Sequence, residues 1–179
     1  MPCMGVENLL AAFEQLIGMD GLVIAGEVQK GHEKYMAGLK QTVTGQLERG
    51  QITLRTEFIP DAEVELLLKA ASVLVLPYYE IFQSGVLFMG YAFGLPLITT
   101  DVGSFRAEIA EGRTGYLCRP GDPADLARTI EAYFASDLYR DLGTTRQDIK
   151  KYAEIHHSGS AVAELPRGVY IALIGRTQA

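Results

Sequence analysis

The sequence predicts an α/β protein with a doubly wound parallel sheet and helices on both faces. Short apolar runs alternate along the chain with segments of helical periodicity, as in sheets whose parallel strands are joined by helical crossovers. Two of the runs, residues 22–25 and 73–76, are apolar throughout, which is typical of strands buried on both faces. The 179 residues contain no internal repeat and no low-complexity linker, so we expect one domain over residues 1–179.

Five short segments are predicted as strands because each is apolar or alternating over four or five residues. Gly26 ends the first of them and Pro77 ends the third, since neither residue favours continuation of a strand. In chain order the predicted strands are residues 22–25, 52–56, 73–76, 96–99 and 114–117.

Helices are predicted where apolar residues recur every three or four positions. Asp61 and Asp122 are expected to cap the free N–H groups of two of these helices. From about residue 138 the pattern indicates a helical tail to about residue 176, with a break near His157. In chain order the predicted helices are residues 5–17, 33–48, 61–71, 84–93, 104–110, 122–134 and the tail 138–176.

Composition and charge narrow the class of function. The net charge of -6, without a cluster of Lys or Arg, argues against nucleic-acid binding, because neutralising phosphates requires a basic surface. Cys3 and Cys118 lie far apart without neighbouring ligands, so the sequence predicts neither a disulfide framework nor a metal site. There is no apolar run of membrane-spanning length and no signal-peptide pattern. We therefore expect a cytoplasmic protein with reduced thiols.

Two loops of small and polar residues follow predicted strands, at residues 83–85 and 102–104. Each precedes a predicted helix, so its N–H groups can converge on an anion. Taken singly, such a loop is more often a plain tight turn. Glu80 strengthens the functional interpretation, because it lies just past a strand end, where parallel sheets bind ligands and a carboxylate can accept hydrogen bonds from sugar hydroxyls.

A succession of segments carries a resemblance to a known family: GVENLLAAFEQL, LVIAGE, EFIPDAEVELLLKAASVLVLPYYE, QSGVL, FGLPLITTDVGS and EGRTGYLCRPGDPADLARTI. Together they resemble the C-terminal half of the retaining GT-B glycosyltransferases of family 4, the glycosyl transferases group 1. The resemblance runs from Gly5 to about Tyr139 and is most specific at residues 94–103 and 114–123. It implies a Rossmann-like domain that binds a nucleoside-diphosphate sugar as donor, in polysaccharide or glycoconjugate biosynthesis.

The resemblance also implies roles for individual residues. Glu80 matches the first acid of the family's paired-glutamate motif, which contacts the donor sugar, and is the expected catalytic residue. The loop at residues 83–85 matches the one whose N–H groups hold the sugar and the diphosphate. Residues 58 and 59 fall where the family recognises the base. The expected donor-binding residues are Phe58, Ile59, Gln83, Ser84, Gly85, Val86 and Met89, with no metal and no cofactor besides the donor.

The sequence departs from the family pattern in two places. The second glutamate of the motif is missing, since its position falls on Phe88 or Met89 depending on the anchor. Met4 stands where the family has a Lys, and the family's first strand and its Arg are absent. Because a diphosphate leaving group needs positive charge, we expect this chain alone to be inactive, although the full-length protein would be a glycosyltransferase of the hexosyltransferase type.

We therefore expect a truncated chain or a fragmentary reading frame whose N-terminal acceptor domain is absent. Peripheral membrane association is expected only through that missing half. Two alternatives stay open: a GT-B relative that epimerises sugar nucleotides, and a non-catalytic or degenerate α/β binding module. A fold alone does not separate these functions.

Overall fold

The computed structural model describes residues 4–19, 21–28, 30–157 and 171–174. Within these residues the strands form one sheet in the order β2-β1-β6-β3-β4-β5. Strand pairing is parallel throughout, except that β6 runs antiparallel to both of its neighbours. The strands are β1 Leu22–Ala25, β2 Ile52–Arg55, β3 Val73–Leu76, β4 Leu97–Thr100, β5 Gly115–Cys118 and β6 Ile171–Ile174. The α/β class with helices on both faces is confirmed.

The helices follow the predicted segments, except that the first ends at Phe13 and not at residue 17. The helix predicted over 33–48 divides at Val43. Asp61 is the first residue of its helix, with Pro60 at the cap position, so the predicted Asp61 cap is wrong. The Asp122 cap is confirmed by a hydrogen bond of 2.9 Å from the Asp125 N–H to Asp122 Oδ1. The helices are α1 Val6–Phe13, α2 Glu33–Thr42, α3 Thr44–Glu48, α4 Asp61–Ala70, α5 Gly85–Ala92, α6 Phe105–Glu108, α7 Pro123–Ala135, α8 Asp137–Arg140 and α9 Leu142–His156.

The predicted helical tail over 138–176 requires a correction. It is helical in α8 and α9, but Ile171–Ile174 form β6, which pairs with β1 on one side and β3 on the other. A run of four apolar residues does not distinguish a strand from a buried helix by periodicity. The open edges of β1 and β3 favour the strand, since each edge offers unpaired backbone groups that must find partners when buried.

Alternating side chains of the strands divide the core between the two faces of the sheet. Ile24 and Val75 face α1 and α7, whereas Leu74 and Leu76 face α4, α5 and α9. These side chains are almost fully buried, and each contributes about 1.5–3 kcal/mol relative to an exposed position. The sheet is therefore covered on both faces, which leaves the ends of its strands as the places where a ligand can reach it.

Among the described residues, no helix combines the length and apolarity that crossing a bilayer would require.

Candidate functional site

The loops that follow β2, β3 and β4 lie at one edge of the sheet because these strands are parallel. The loop after β3 carries Glu80 and Gln83, whose side chains are both exposed. Neither side chain hydrogen-bonds to the part of the chain that the structure describes. Both are therefore available to a ligand at this edge.

The N-terminus of α5 follows this loop directly. Ser84 occupies the cap position in an extended conformation, and within the described residues its side chain makes no capping hydrogen bond. The first N–H groups of α5 thus lack a capping side chain and carry the positive end of the helix dipole. Val86 is only 1% exposed and belongs to the core cluster beneath the site. Met89 is half-buried and packs against the core.

The start of the Glu80 loop is fixed to its surroundings. At Gly5, just before α1, φ is 63° and an added Cβ would lie 1.9 Å from the Pro77 carbonyl oxygen. The Thr100 hydroxyl donates a hydrogen bond of 2.6 Å to the Tyr78 carbonyl. The Tyr78 ring packs against Phe105, with ring centroids 5.9 Å apart. These contacts hold the chain as it leaves β3.

The end of the loop is held by the segment after β4. The Ser104 N–H donates a hydrogen bond of 3.1 Å to the Phe82 carbonyl. Gly103 adopts φ 55°, and a Cβ there would lie 1.9 Å from the Ile81 carbonyl oxygen. The loop at 102–104, interpreted from the sequence as a second small-residue turn, thus supports the Glu80 loop.

Between these two anchors, Tyr79 is half-buried, and its ring lies beside Gly121. The Tyr35 hydroxyl of α2 donates a hydrogen bond to Glu7 Oε2. Burial first, and then the Glu7 carboxylate, raise the pKa of both tyrosines. The contact between Glu7 and Tyr35 joins α1 to α2 and was not predicted from the sequence.

The structure places the predicted base-recognition residues on the loop after β2. The Phe58 side chain is 56% exposed, whereas Ile59 is buried in the same core cluster as Tyr78 and Val86. Three strand spacings separate β2 from β3, about 14 Å in all. The two loops therefore lie at the same edge of the sheet, on strands separated by β1 and β6. In the described ranges no three His, Cys, Asp or Glu side chains group as metal ligands.

Residues 2–136 match the family model described as Glycosyl transferases group 1. The chain belongs to that family. A D-inositol 3-phosphate glycosyltransferase of Paenarthrobacter aurescens is 29% identical to this group 1 chain over 133 residues, which are 66% of this chain and 31% of the relative. The chain spans less than a third of the length of the curated relatives it matches.

Solved structures resemble this group 1 chain in fold. Anabaena Alr3699/HepE in complex with UDP superposes with a TM-score of 0.72 at 19% identity, over 87% of this chain and 42% of that one. The C-terminal domain of a group 1 family protein from Francisella tularensis gives a TM-score of 0.71 at 17% identity, over 88% of this chain and 81% of that one.

Proposed function

We propose that this chain is the donor-binding domain of a retaining glycosyltransferase that takes its sugar from a nucleoside-diphosphate donor. An acceptor held by a separate domain would receive the sugar, in polysaccharide or glycoconjugate biosynthesis. The observation that carries this proposal is the exposed Glu80 beside the uncapped N-terminus of α5. UDP sugars are the first donors to test, because a protein of similar fold binds UDP.

Each element of the site has a chemical role in this proposal. The N–H groups at residues 84–86 bind the anionic diphosphate at the positive end of the α5 dipole. Glu80 accepts hydrogen bonds from sugar hydroxyls and orients the reacting carbon. Phe58 and the backbone at Ile59 contact the base from the loop after β2. Met89 offers no carboxylate, so the ribose must find other partners.

A non-catalytic binding module is the second candidate, and Met4 is the observation that favours it. Met4 lies among apolar side chains at the start of α1, beside Val6 and Pro77. A methionine side chain carries no positive charge, so Met4 cannot neutralise the diphosphate as it leaves. Measuring release of the nucleoside diphosphate separates the two candidates. A binding module should bind the donor saturably without releasing nucleoside diphosphate, whereas an enzyme should release it.

We also propose a reducing compartment, the cytoplasm, for this protein. Cys118 is a free, buried thiol, and burial, with smaller effects of Asp125 and Asp122, raises its pKa to about 12. The thiol therefore stays protonated and needs no disulfide partner. A reduced thiol of this kind is what a reducing compartment maintains.

The test of donor binding is a calorimetric titration with UDP, GDP and ADP sugars. We expect saturable binding of one of them, weakened about 10- to 100-fold in Glu80→Ala, because a hydrogen bond to a charged group is worth about 1.5–3 kcal/mol. Glu131→Ala is the matched control, since Glu131 is an exposed glutamate on α7. No response to any nucleotide sugar, or equal weakening in both variants, would contradict the proposal.

A further inference from the structure

We propose that Thr100 is a positioning residue for the donor site: its hydroxyl holds the Tyr78 carbonyl and thereby fixes the backbone that carries Glu80. This role rests on the proposed function of the Glu80 loop, which comprises residues 77–84 between β3 and α5.

The hydrogen bond from Thr100 lies just beyond the end of the pairing between β3 and β4. The last paired residues of the two strands are Leu76 and Thr99. Pro77 follows, and a proline has no N–H with which to continue the ladder. The Thr100 hydroxyl then donates a hydrogen bond of 2.6 Å to the Tyr78 carbonyl. A side chain therefore continues the link between the two segments where the backbone ladder stops.

Two hydrogen bonds from residues 100–104 hold the loop on either side of Glu80. Thr100 holds the Tyr78 carbonyl, and the Ser104 N–H donates a bond of 3.1 Å to the Phe82 carbonyl. Glu80 is the middle residue of this span, and its exposed side chain makes no hydrogen bond to the described part of the chain. Only the Thr100 bond is made by a side chain, so it is the one that a substitution can remove.

Thr100 itself is held firmly at the end of β4. It is fully buried and pairs with Cys118 of β5. Its carbonyl accepts a hydrogen bond of 2.9 Å from the Val102 N–H, and the Asp101 N–H donates one of 2.8 Å to the Cys118 carbonyl. The Thr100 hydroxyl therefore has a fixed position, which its bond passes on to the backbone of the Glu80 loop.

Thr99 provides a matched comparison for Thr100. The two residues are adjacent in β4 and both are 0% exposed. Within the described residues, however, the Thr99 hydroxyl has no hydrogen-bond partner. Thr99→Val and Thr100→Val each replace a buried hydroxyl by a methyl group, but only Thr100→Val removes a bond to the loop. A change that is seen in Thr100→Val and not in Thr99→Val therefore reports on that bond.

The experiment measures ¹⁵N relaxation order parameters of the full chain, together with calorimetric donor titration. We expect the order parameter of the Glu80 amide to fall from about 0.85 in the wild type and in Thr99→Val toward about 0.6 in Thr100→Val. Donor affinity should weaken about fivefold to tenfold in Thr100→Val alone, the effect of one lost hydrogen bond. Thr100→Ser keeps the hydroxyl and should restore both values.

A second pair of variants makes the same test if Thr100→Val does not fold. Thr100→Ser and Thr100→Cys both lose the methyl group, but a thiol is a much weaker hydrogen-bond donor than a hydroxyl. The Glu80 amide should therefore be more mobile, and the donor more weakly bound, in Thr100→Cys than in Thr100→Ser. Equal values in these two variants would contradict the positioning role.

Equal order parameters at Glu80 in Thr100→Val and Thr99→Val would overturn the inference. This holds even if Thr100→Val melts at a lower temperature, because the bond would then serve stability alone. An unchanged donor affinity in Thr100→Val, for a wild type that binds the donor, would overturn it as well. Failure of the wild type to bind any nucleotide sugar would refute the proposed function instead, and the order parameters would still decide whether Thr100 holds the loop.

Discussion

Gly103 is the residue whose replacement best tests how the segment after β4 supports the Glu80 loop. A Cβ at Gly103 would meet the Ile81 carbonyl oxygen, and φ there is 55°. Gly103→Ala should therefore lower the free energy of unfolding by strain and by a clash, each of the order of 1–3 kcal/mol. Thermal unfolding measures this loss.

Gly112→Ala is the control for this substitution. Gly112 has a similar positive φ, 73°, but no heavy atom lies within 4 Å of the position that an added Cβ would take. It should suffer the backbone strain alone, so Gly103→Ala should be the less stable of the two. Equal melting temperatures for Gly103→Ala and Gly112→Ala would mean that the loop after β4 does not pack tightly against the Glu80 loop.

Some residues of the candidate site could be predicted from the sequence and others could not. The sequence places Glu80 just past a buried strand, and the structure shows that residue exposed there. The hydrogen bond from Tyr35 to Glu7 depends on how α1 packs beside α2, which no local pattern contains. Contacts between residues distant in the sequence are set by packing, so this bond could be found only in the structure.

Among the elements, β6 makes the largest difference between expectation and structure. Ala172 pairs with Ile24 of β1 and with Val75 of β3, in the interior of the sheet. Ala172→Pro removes an N–H from a central strand and leaves a buried carbonyl unpaired, which should cost about 1–3 kcal/mol. We expect a lower melting temperature and faster hydrogen exchange at the amides of both β1 and β3.

Ala62→Pro is the matched control for β6, because Ala62 is exposed in the first turn of α4, where proline is tolerated. If Ala172→Pro melts at the same temperature as Ala62→Pro, β6 does not join the two halves of the sheet.

The five other strands lie within one residue of their predicted ends. They could be predicted because short apolar runs bounded by Gly and Pro leave few alternatives.

In the whole molecule, the strand order creates the edge where the site lies. Doubly wound sheets place the strand that precedes the first helix at the centre of the sheet. Here β6 takes the central position from the other end of the chain, antiparallel to β1 and β3. The class of fold was predictable from alternating strands and helices. The strand that fills the central position could not be predicted, because this depends on which segment of the chain pairs with both β1 and β3.

The proposed binding of a nucleotide sugar at the carboxyl edge of the sheet is tested most directly by an amide map of the ¹⁵N-labelled chain. Titration with a UDP sugar should produce saturable shifts at residues 80 and 83–86, with further shifts at 57–59. Residues around Gly94 and Gly112, before β4 and β5 at the opposite edge, should stay unchanged. Saturable shifts centred on that opposite edge, or none at residues 80–86, would contradict the claim.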